Sequence, residues 1–454
     1  MINQIKSFYA LIFLLIAACQ AGYAQDSKVA FSLQEAIDYA LVNNQSGKNA
    51  RIEVEIANRQ VGEILADGLP QVNANADLGY NYKLQETPLE ADTTGFFPPP
   101  PGFEHGDIYT ITFGVPYTSN FGVTLDQMVF DGAYFIGLKA ARTFTELSKK
   151  DNIKNSIDIA EAVSKAYFGV LVNRERYLLI ERNFTRVDSL LIDTKHLFEG
   201  GFAEKIDVSR VQVQYNNLKV ELDNYQAIVD LSESLLKYQM GMSPKAEIEL
   251  VDRIENIDYF DFELAKNFSY DRRIEYSQLN IRDELNQLDI RNIKSQYVPT
   301  LDLYARYGRN TGATGLGDVF TNQWFGAGVV GLTARWSIFD GMRRRRQIQQ
   351  RQLKGEQIKN QFDMLKYNID IEIEQSLANY NREIERMQAQ RENMELAREV
   401  YDVAKLKYSE GVGSNIEVID ADASYKQAQT NYYNALFDAL ISKIDLQKAY
   451  GVLL

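Results

Sequence analysis

What most constrains this chain is a pair of long proline-free stretches, each carrying helical periodicity out and back. No proline occurs after Pro299, and none between Pro116 and Pro244. A proline inside a helix costs on the order of 3 kcal/mol, and all nine prolines fall outside the helices inferred here. In the second stretch the pattern runs from Gly341 to a reversal at Gly411-Val412-Gly413 and starts back at once. A weaker copy occupies residues 132–208, reversing at Gly200-Gly201. Ile153, Ile157, Ala160, Ser164, Tyr167 and Leu171 follow the alternating four-and-three spacing of a coiled-coil seam, as do Ile373, Leu377, Tyr380, Ile384 and Met387.

Ahead of each hairpin the period changes to two. Val72, Ala74, Ala76, Leu78, Tyr80 and Tyr82 alternate with Gln71, Asn73, Asn75, Asp77, Gly79 and Asn81, the pattern of a strand with one dry and one wet face. A second strand over about residues 120–130 puts Phe121, Val123, Leu125 and Val129 on one face. The residues between, 83–119, read as one long loop holding Pro98 to Pro101 and His105. The later copy repeats the strands over Thr300–Gly308 and Phe325–Phe339, the latter with Val330, Leu332, Ala334, Trp336 and Ile338 on one parity. Both copies end in the same three residues, Phe130-Asp131-Gly132 and Phe339-Asp340-Gly341. Ser32 and Glu35 form a capping box that opens a helix over about residues 32–67.

The order helix, strand, loop, strand, hairpin is therefore given twice, in repeats at about residues 32–242 and 271–451 joined by a segment at 243–270. A helix over residues 133–198 is about 100 Å long at 1.5 Å per residue. Its returning partner, about 203–241, is shorter, and the helix at about 271–297 makes up the difference. Residues 342–409 are matched in the same way by 414–451 together with 32–67. Two short helices end to end equal one long one, and the segment 243–270 lies where the short ones meet.

No stretch after residue 24 approaches the 18 or so apolar residues of a membrane-spanning helix. The strands, by contrast, are about the 9 to 11 residues that cross a bilayer when tilted. Four strands cannot close a barrel, and open sheet edges are not viable in lipid. A barrel must then be shared between copies, which predicts a homo-oligomer.

The ends and the composition narrow the setting. Lys6 and the apolar run Phe8 to Ala18 form an export signal over residues 1–24. Cleavage after Ala24 is favoured; the alternative is a lipobox, Ile16-Ala17-Ala18-Cys19, that makes Cys19 a lipidated first residue. Cleavage after Ala24 leaves no cysteine. A net charge of −13 argues against nucleic acid as a partner. His105 and His196 are far apart and suggest no metal site, no cofactor motif emerges, and Gly312, Gly315 and Gly317 lack the Lys-Ser/Thr of a phosphate loop. No acid–base or nucleophile constellation points to an enzyme. Arg343, Arg344, Arg345 and Arg346 open the second long helix, either as a contact for lipid phosphates or as a solvated face.

Taken together, Ser32 to Ala36 with Ala40 and Asn43-Asn44, Leu69-Pro70, Val298-Pro299, the two Phe-Asp-Gly triplets and Tyr408 to Asp420 resemble the outer-membrane efflux protein family, the TolC-like channel-tunnels. The resemblance spans nearly all of the mature chain. It implies an α+β membrane protein: a homotrimer whose four strands per chain share one barrel in the outer membrane of a Gram-negative bacterium, with helical hairpins forming a periplasmic tunnel. It further implies passive exit for substrates of a tripartite efflux or type I secretion system, with a periplasmic adaptor (a membrane fusion protein), an inner-membrane transporter and outer-membrane lipid as partners. The alternative is a periplasmic coiled-coil adaptor or scaffold without a barrel.

The resemblance also implies roles at the reversals. Gly200, Gly201, Gly411 and Gly413 mark the tips that meet the adaptor. Tyr408, Glu417 and Asp420 fall where the family narrows the periplasmic end, and Asp207 holds the corresponding place in the first copy. Glu417 and Asp420 share a helix face, and threefold symmetry turns them into two carboxylate rings that favour cations. Taken alone, the two carboxylates equally read as an acidic first turn complementing the helix dipole. Gly413 stands where TolC-like tips can carry an arginine that locks the closed state, so a lock here needs other pairs.

Overall fold

The computed structural model describes residues 29–92, 99–254 and 268–454. The signal sequence with Cys19, and residues 255–267 of the joining segment, lie outside the described residues. The elements run β1 (Val29–Phe31), α1 (Leu33–Asn43), α2 (Gln45–Asp67), β2 (Gln71–Tyr80), β3 (Gln85–Glu90), β4 (Ile108–Phe113), β5 (Tyr117–Phe130), α3 (Gly132–Glu199), α4 (Lys205–Met240) and β6 (Ile248–Leu250). A 3-10 turn at Tyr270–Arg272 then leads to α5 (Ile274–Ser295), β7 (Thr300–Ala313), α6 (Asp318–Thr321), β8 (Phe325–Arg335), α7 (Arg343–Ser409) and α8 (Asn415–Tyr450). The chain divides into two compact units. No described helix is long and apolar enough to cross a membrane.

One unit, Glu55–Leu147 with Ile281–Lys359, holds the strands of interest. β2, β5, β7 and β8 form one sheet in that order, every neighbour antiparallel. The register lines residues up across it. Val72, Leu125, Ala305 and Val330 make one row, and Ala74, Val123, Tyr307 and Gly328 the next on the same face. The opposite face carries Gln71, Asp126, Tyr304 and Gly331, then Asn73, Thr124, Arg306 and Val329. Residues paired across a sheet point the same way, so one face is apolar and the other polar, with only β8 apolar on both. The apolar face is uncovered, with Val72, Leu78, Phe121, Val330 and Leu332 exposed. The outer strands β2 and β8 each keep one edge without a partner strand among the described residues.

Three sequence expectations change in this unit. A bulge at Val129 shifts the register, so Phe130 and not Val129 joins the apolar row, opposite Leu301. β8 stops at Arg335, short of Phe339. The supposed loop 83–119 contains an antiparallel hairpin, β3 with β4, from Gln85↔Phe113 to Glu90↔Ile108. Pro88 sits inside β3, which is tolerated because among the described residues β3 pairs on one side only.

The other unit, up to Val54 with Ser148–Asn280 and Asn360–Leu454, is helical around one main core. Tyr167, Val163, Val170, Leu236, Met240, Leu436 and Leu440 are its most enclosed side chains. Of the two seams, Ala160, Ser164, Tyr167, Leu171, Tyr380 and Met387 are buried, whereas Ile153 is exposed. β1 and β6 pair in parallel, and the buried Tyr167 hydroxyl shares its one proton between Phe31 O at 2.9 Å and Asp252 Oδ2 at 2.8 Å. Burial and Asp252 both push the Tyr167 phenol up.

The expected helix 32–67 is broken at Asn44, whose ψ is 136°. Asn44 Oδ1 accepts from Ser46 N at 2.8 Å and so starts α2, while its Nδ2 donates to Gln239 O at 2.7 Å. Arg51 caps the end of α1 by donating to Leu41 O and Val42 O, both at 2.6 Å. A side chain at Gly241 would come within 2.5 Å of Asn43 O, so this crossing also requires the glycine.

Candidate functional site: the hairpin tips

Both tips are helix-loop-helix reversals with one glycine in the left-handed region, Gly201 at φ 79° and Gly411 at φ 73°. Each presents one large apolar residue outward, Phe202 at 85% and Val412 at 79% exposure. In the first tip the N–H of Glu204 donates to Asp207 Oδ2 at 3.1 Å, and Arg210 reaches the same carboxylate at 3.5 Å. Asp207 is thereby committed to starting α4.

The second tip is tighter. The N–H groups of Val412 and Gly413 both donate to Lys407 O at 3.0 Å. A Cβ built at Gly413 would lie 2.9 Å from Lys407 Cβ and 3.0 Å from the Tyr408 backbone nitrogen. The close backbone approach explains the glycine, and an arginine here would force the loop open. Ser414 caps α8, its hydroxyl accepting from Glu417 N at 3.3 Å. With a hydroxyl doing the capping, the Glu417 carboxylate is left over. Glu417 and Asp420 are exposed, make no ion pair among the described residues, and line one groove of about 560 Å³ with Lys407 and Ser424. Tyr408 stands half-buried behind them, its hydroxyl accepting from Asn415 Nδ2 at 3.4 Å. Tyr408, Glu417 and Asp420 are thus brought together, while Asp207 matches Glu417 in helix position but not in availability.

A charged pair that sequence reasoning missed lies just above this tip. Arg186 of α3 donates to Asp422 of α8 at 2.5 Å, and the guanidinium carbon sits 4.6 Å from the Tyr401 ring centre and 5.4 Å from that of Tyr425. Asp422 is buried and Arg186 nearly so. Burial pushes the Tyr401 phenol up to about 12 despite the guanidinium beside it. Farther along the same seam Asn183 Nδ2 donates to Gln429 Oε1 at 3.2 Å, and Arg176 to Asn434. The spacing Val418, Asp422, Tyr425, Gln429 alternates four and three, so a carboxylate in that buried stripe was the available signal.

The arginine run divides. Arg344 is buried and donates to Asp340 Oδ2 at 2.7 Å, to Ser337 O at 2.7 Å and to Gln296 O at 2.5 Å, with its guanidinium 4.3 Å over the Tyr297 ring. Arg344 is therefore neither a lipid contact nor part of a solvated face, the two readings the sequence left open, because it satisfies the backbone of its own junction. Arg343, Arg345 and Arg346 remain exposed. His105 lies 3.9 Å from Asp92 and His196 3.8 Å from Glu199.

Against known proteins, residues 277–452 match the model of the family described as Outer membrane efflux protein. The chain is 20% identical to Outer membrane protein TolC of Escherichia coli (strain K12), covering 98% of this chain and 86% of that protein. Its fold is similar to outer membrane protein VceC of Vibrio cholerae, with a TM-score of 0.65 at 16% identity over 92% of this chain and 96% of that one. It is likewise similar to the open state of the MtrE outer membrane channel of Neisseria gonorrhoeae, with a TM-score of 0.69 at 17% identity over 92% and 88%. By sequence match over residues 277–452 and by fold, the chain is similar to the outer membrane efflux proteins.

Proposed function

We propose that this chain is an outer-membrane channel-tunnel of a Gram-negative bacterium, assembled from three copies and giving passive exit to substrates of a tripartite efflux or type I secretion system. The observation that carries the reading is the four-stranded sheet with an uncovered apolar face, a polar face opposite and two unpaired edges. Such a sheet suits lipid only when copies join β8 to β2 and close the ring. Three copies supply twelve strands, and the polar rows then line the lumen. The periplasmic adaptor takes the exposed tips around Gly200, Gly201, Gly411 and Gly413, and the inner-membrane transporter feeds the tunnel. Tyr408, Glu417 and Asp420 narrow its periplasmic end, with the uncommitted carboxylates setting cation preference.

Planar-bilayer conductance of the purified protein tests this reading. Discrete cation-preferring channels from a detergent-stable trimer are expected. A monomer in detergent, or failure to insert, would sink it and favour the adaptor alternative.

A further inference from the structure

Beyond Arg335 the chain exposes Trp336, Ile338, Phe339 and Met342 at 60%, 79%, 75% and 52%. β8 ends at Arg335, so these exposed side chains follow directly on a strand whose apolar face, with Val330 and Leu332, is already uncovered. At the same end of the sheet Phe130 and Phe135 are also exposed.

This segment is held in place. Trp336 Nε1 donates to Tyr297 O at 3.0 Å, and Arg344 ties Ser337, Asp340 and Gln296 together. Gly341 and Met342 are both in the left-handed region, at φ 66° and 68°, a strained conformation for methionine that turns the chain before α7 begins. Immediately after the turn come Arg343, Arg345 and Arg346. Among the described residues Arg343 and Arg345 have no ion-pair partner, and the Arg346 side chain reaches only Gln349, at 3.1 Å.

Large apolar side chains followed within a few residues by exposed guanidinium groups match a phospholipid leaflet, acyl chains first and phosphates next. We infer that residues 336–346 form a rigid lipid anchor. Trp336, Ile338, Phe339 and Met342 enter the upper acyl region of the leaflet on the helix side of the sheet, and Arg343, Arg345 and Arg346 bind its phosphates, favouring anionic phospholipid. The inference rests on the membrane-channel reading and adds to it the site and its ligand class.

The chain has two tryptophans, so W324F leaves Trp336 as the sole indole reporter in the full-length protein. Reconstituted into phosphatidylcholine–phosphatidylglycerol vesicles, its emission is expected to be quenched by lipid brominated high on the acyl chain and spared by aqueous iodide. Adding R343Q/R345Q/R346Q is expected to lower the preference for phosphatidylglycerol over phosphatidylcholine by about fivefold or more, since each basic group near a lipid surface is worth roughly a fivefold change. Quenching by iodide places Trp336 in water, and shielding from both quenchers places it against another copy; either result overturns the anchor. The quenching measurement needs no arginine substitution, so misfolding of the triple variant leaves the test standing. Conductance is recorded on the same preparation: open channels with unquenched Trp336 reject the anchor alone, whereas silent membranes with unquenched Trp336 reject both readings.

Discussion

The two hairpin tips share their length, their left-handed glycine and their outward apolar residue, yet they spend their acidic residues differently. In the first, Asp207 accepts the Glu204 N–H and pairs with Arg210. In the second, the Ser414 hydroxyl does the capping, and the Glu417 carboxylate is left exposed beside Asp420. Which residue caps a helix thus decides whether the carboxylate three positions on is structural or available to ions. The two turns are alike, but their acidic residues are not equally engaged.

Breaking the buried pair has the largest expected effect, because Arg186 of α3 and Asp422 of α8 tie the two hairpins to one another just behind the second tip. R186A strands the Asp422 carboxylate and is expected to destabilise the helical unit by about 3 kcal/mol or more, read as a lowered thermal midpoint by circular dichroism. R186A/D422A should recover part of it, and an unchanged midpoint for R186A would remove the pair from the tip's support. Next in size, G413A should cost about 2 kcal/mol through overpacking against backbone. G200A should cost less, since its nearest neighbour is the movable Phe202 ring at 3.1 Å. Equal costs would mean the tips are equally tight.

Smaller still, D207A should lose about 1 kcal/mol of capping with ion selectivity unchanged in bilayer recordings. E417A/D420A should leave stability nearly intact while reducing cation preference and divalent block. A selectivity change in D207A equal to that of the double variant would make the tips functionally alike. The smallest effect is alkaline. Because the folded Tyr401 phenol titrates near 12, above its unfolded value of about 10, the neutral ring stabilises the fold fully below about pH 10, and that contribution fades as pH rises through 12. Y401F should flatten this loss; an unaltered alkaline profile would show that the ring is not what titrates.

Most of the framework was legible because it rests on periodicity. The expected helices at 133–198, 342–409 and 414–451 lie within two residues of α3, α7 and α8, and the four alternating strands exist where expected, although β7 runs five residues past Gly308 and β8 ends four short of Phe339. The misses have local causes that a single period cannot express. Asn44 interrupts a pattern that stays apolar across it, and only the Asn43-Asn44 pair with Ser46 hinted at a second cap. The β3–β4 hairpin hid behind prolines, although Tyr109, Ile111 and Phe113 alternate with Ile108, Thr110 and Thr112. At the candidate site, Glu417 and Asp420 were readable from their spacing, but their freedom depends on Ser414, and the commitments of Asp207 and Arg344 depend on partners no spacing reveals. The two Phe-Asp-Gly triplets make the same point. Asp131 accepts from Ala133 N at 2.7 Å with the helix starting at once, whereas Asp340 accepts from Arg344 across two left-handed residues.

The polar pairs between α3 and α8 act as a ratchet with a single tooth position. Arg176 with Asn434, Asn183 with Gln429 and Arg186 with Asp422 are matched along one seam. Sliding α8 by one helical turn, about 5.4 Å, would unmatch all three pairs together and leave each group facing the wrong neighbour. Lengthwise travel of α8 against α3 is therefore the expensive direction, and a pivot or a twist between the two helices is the cheap one.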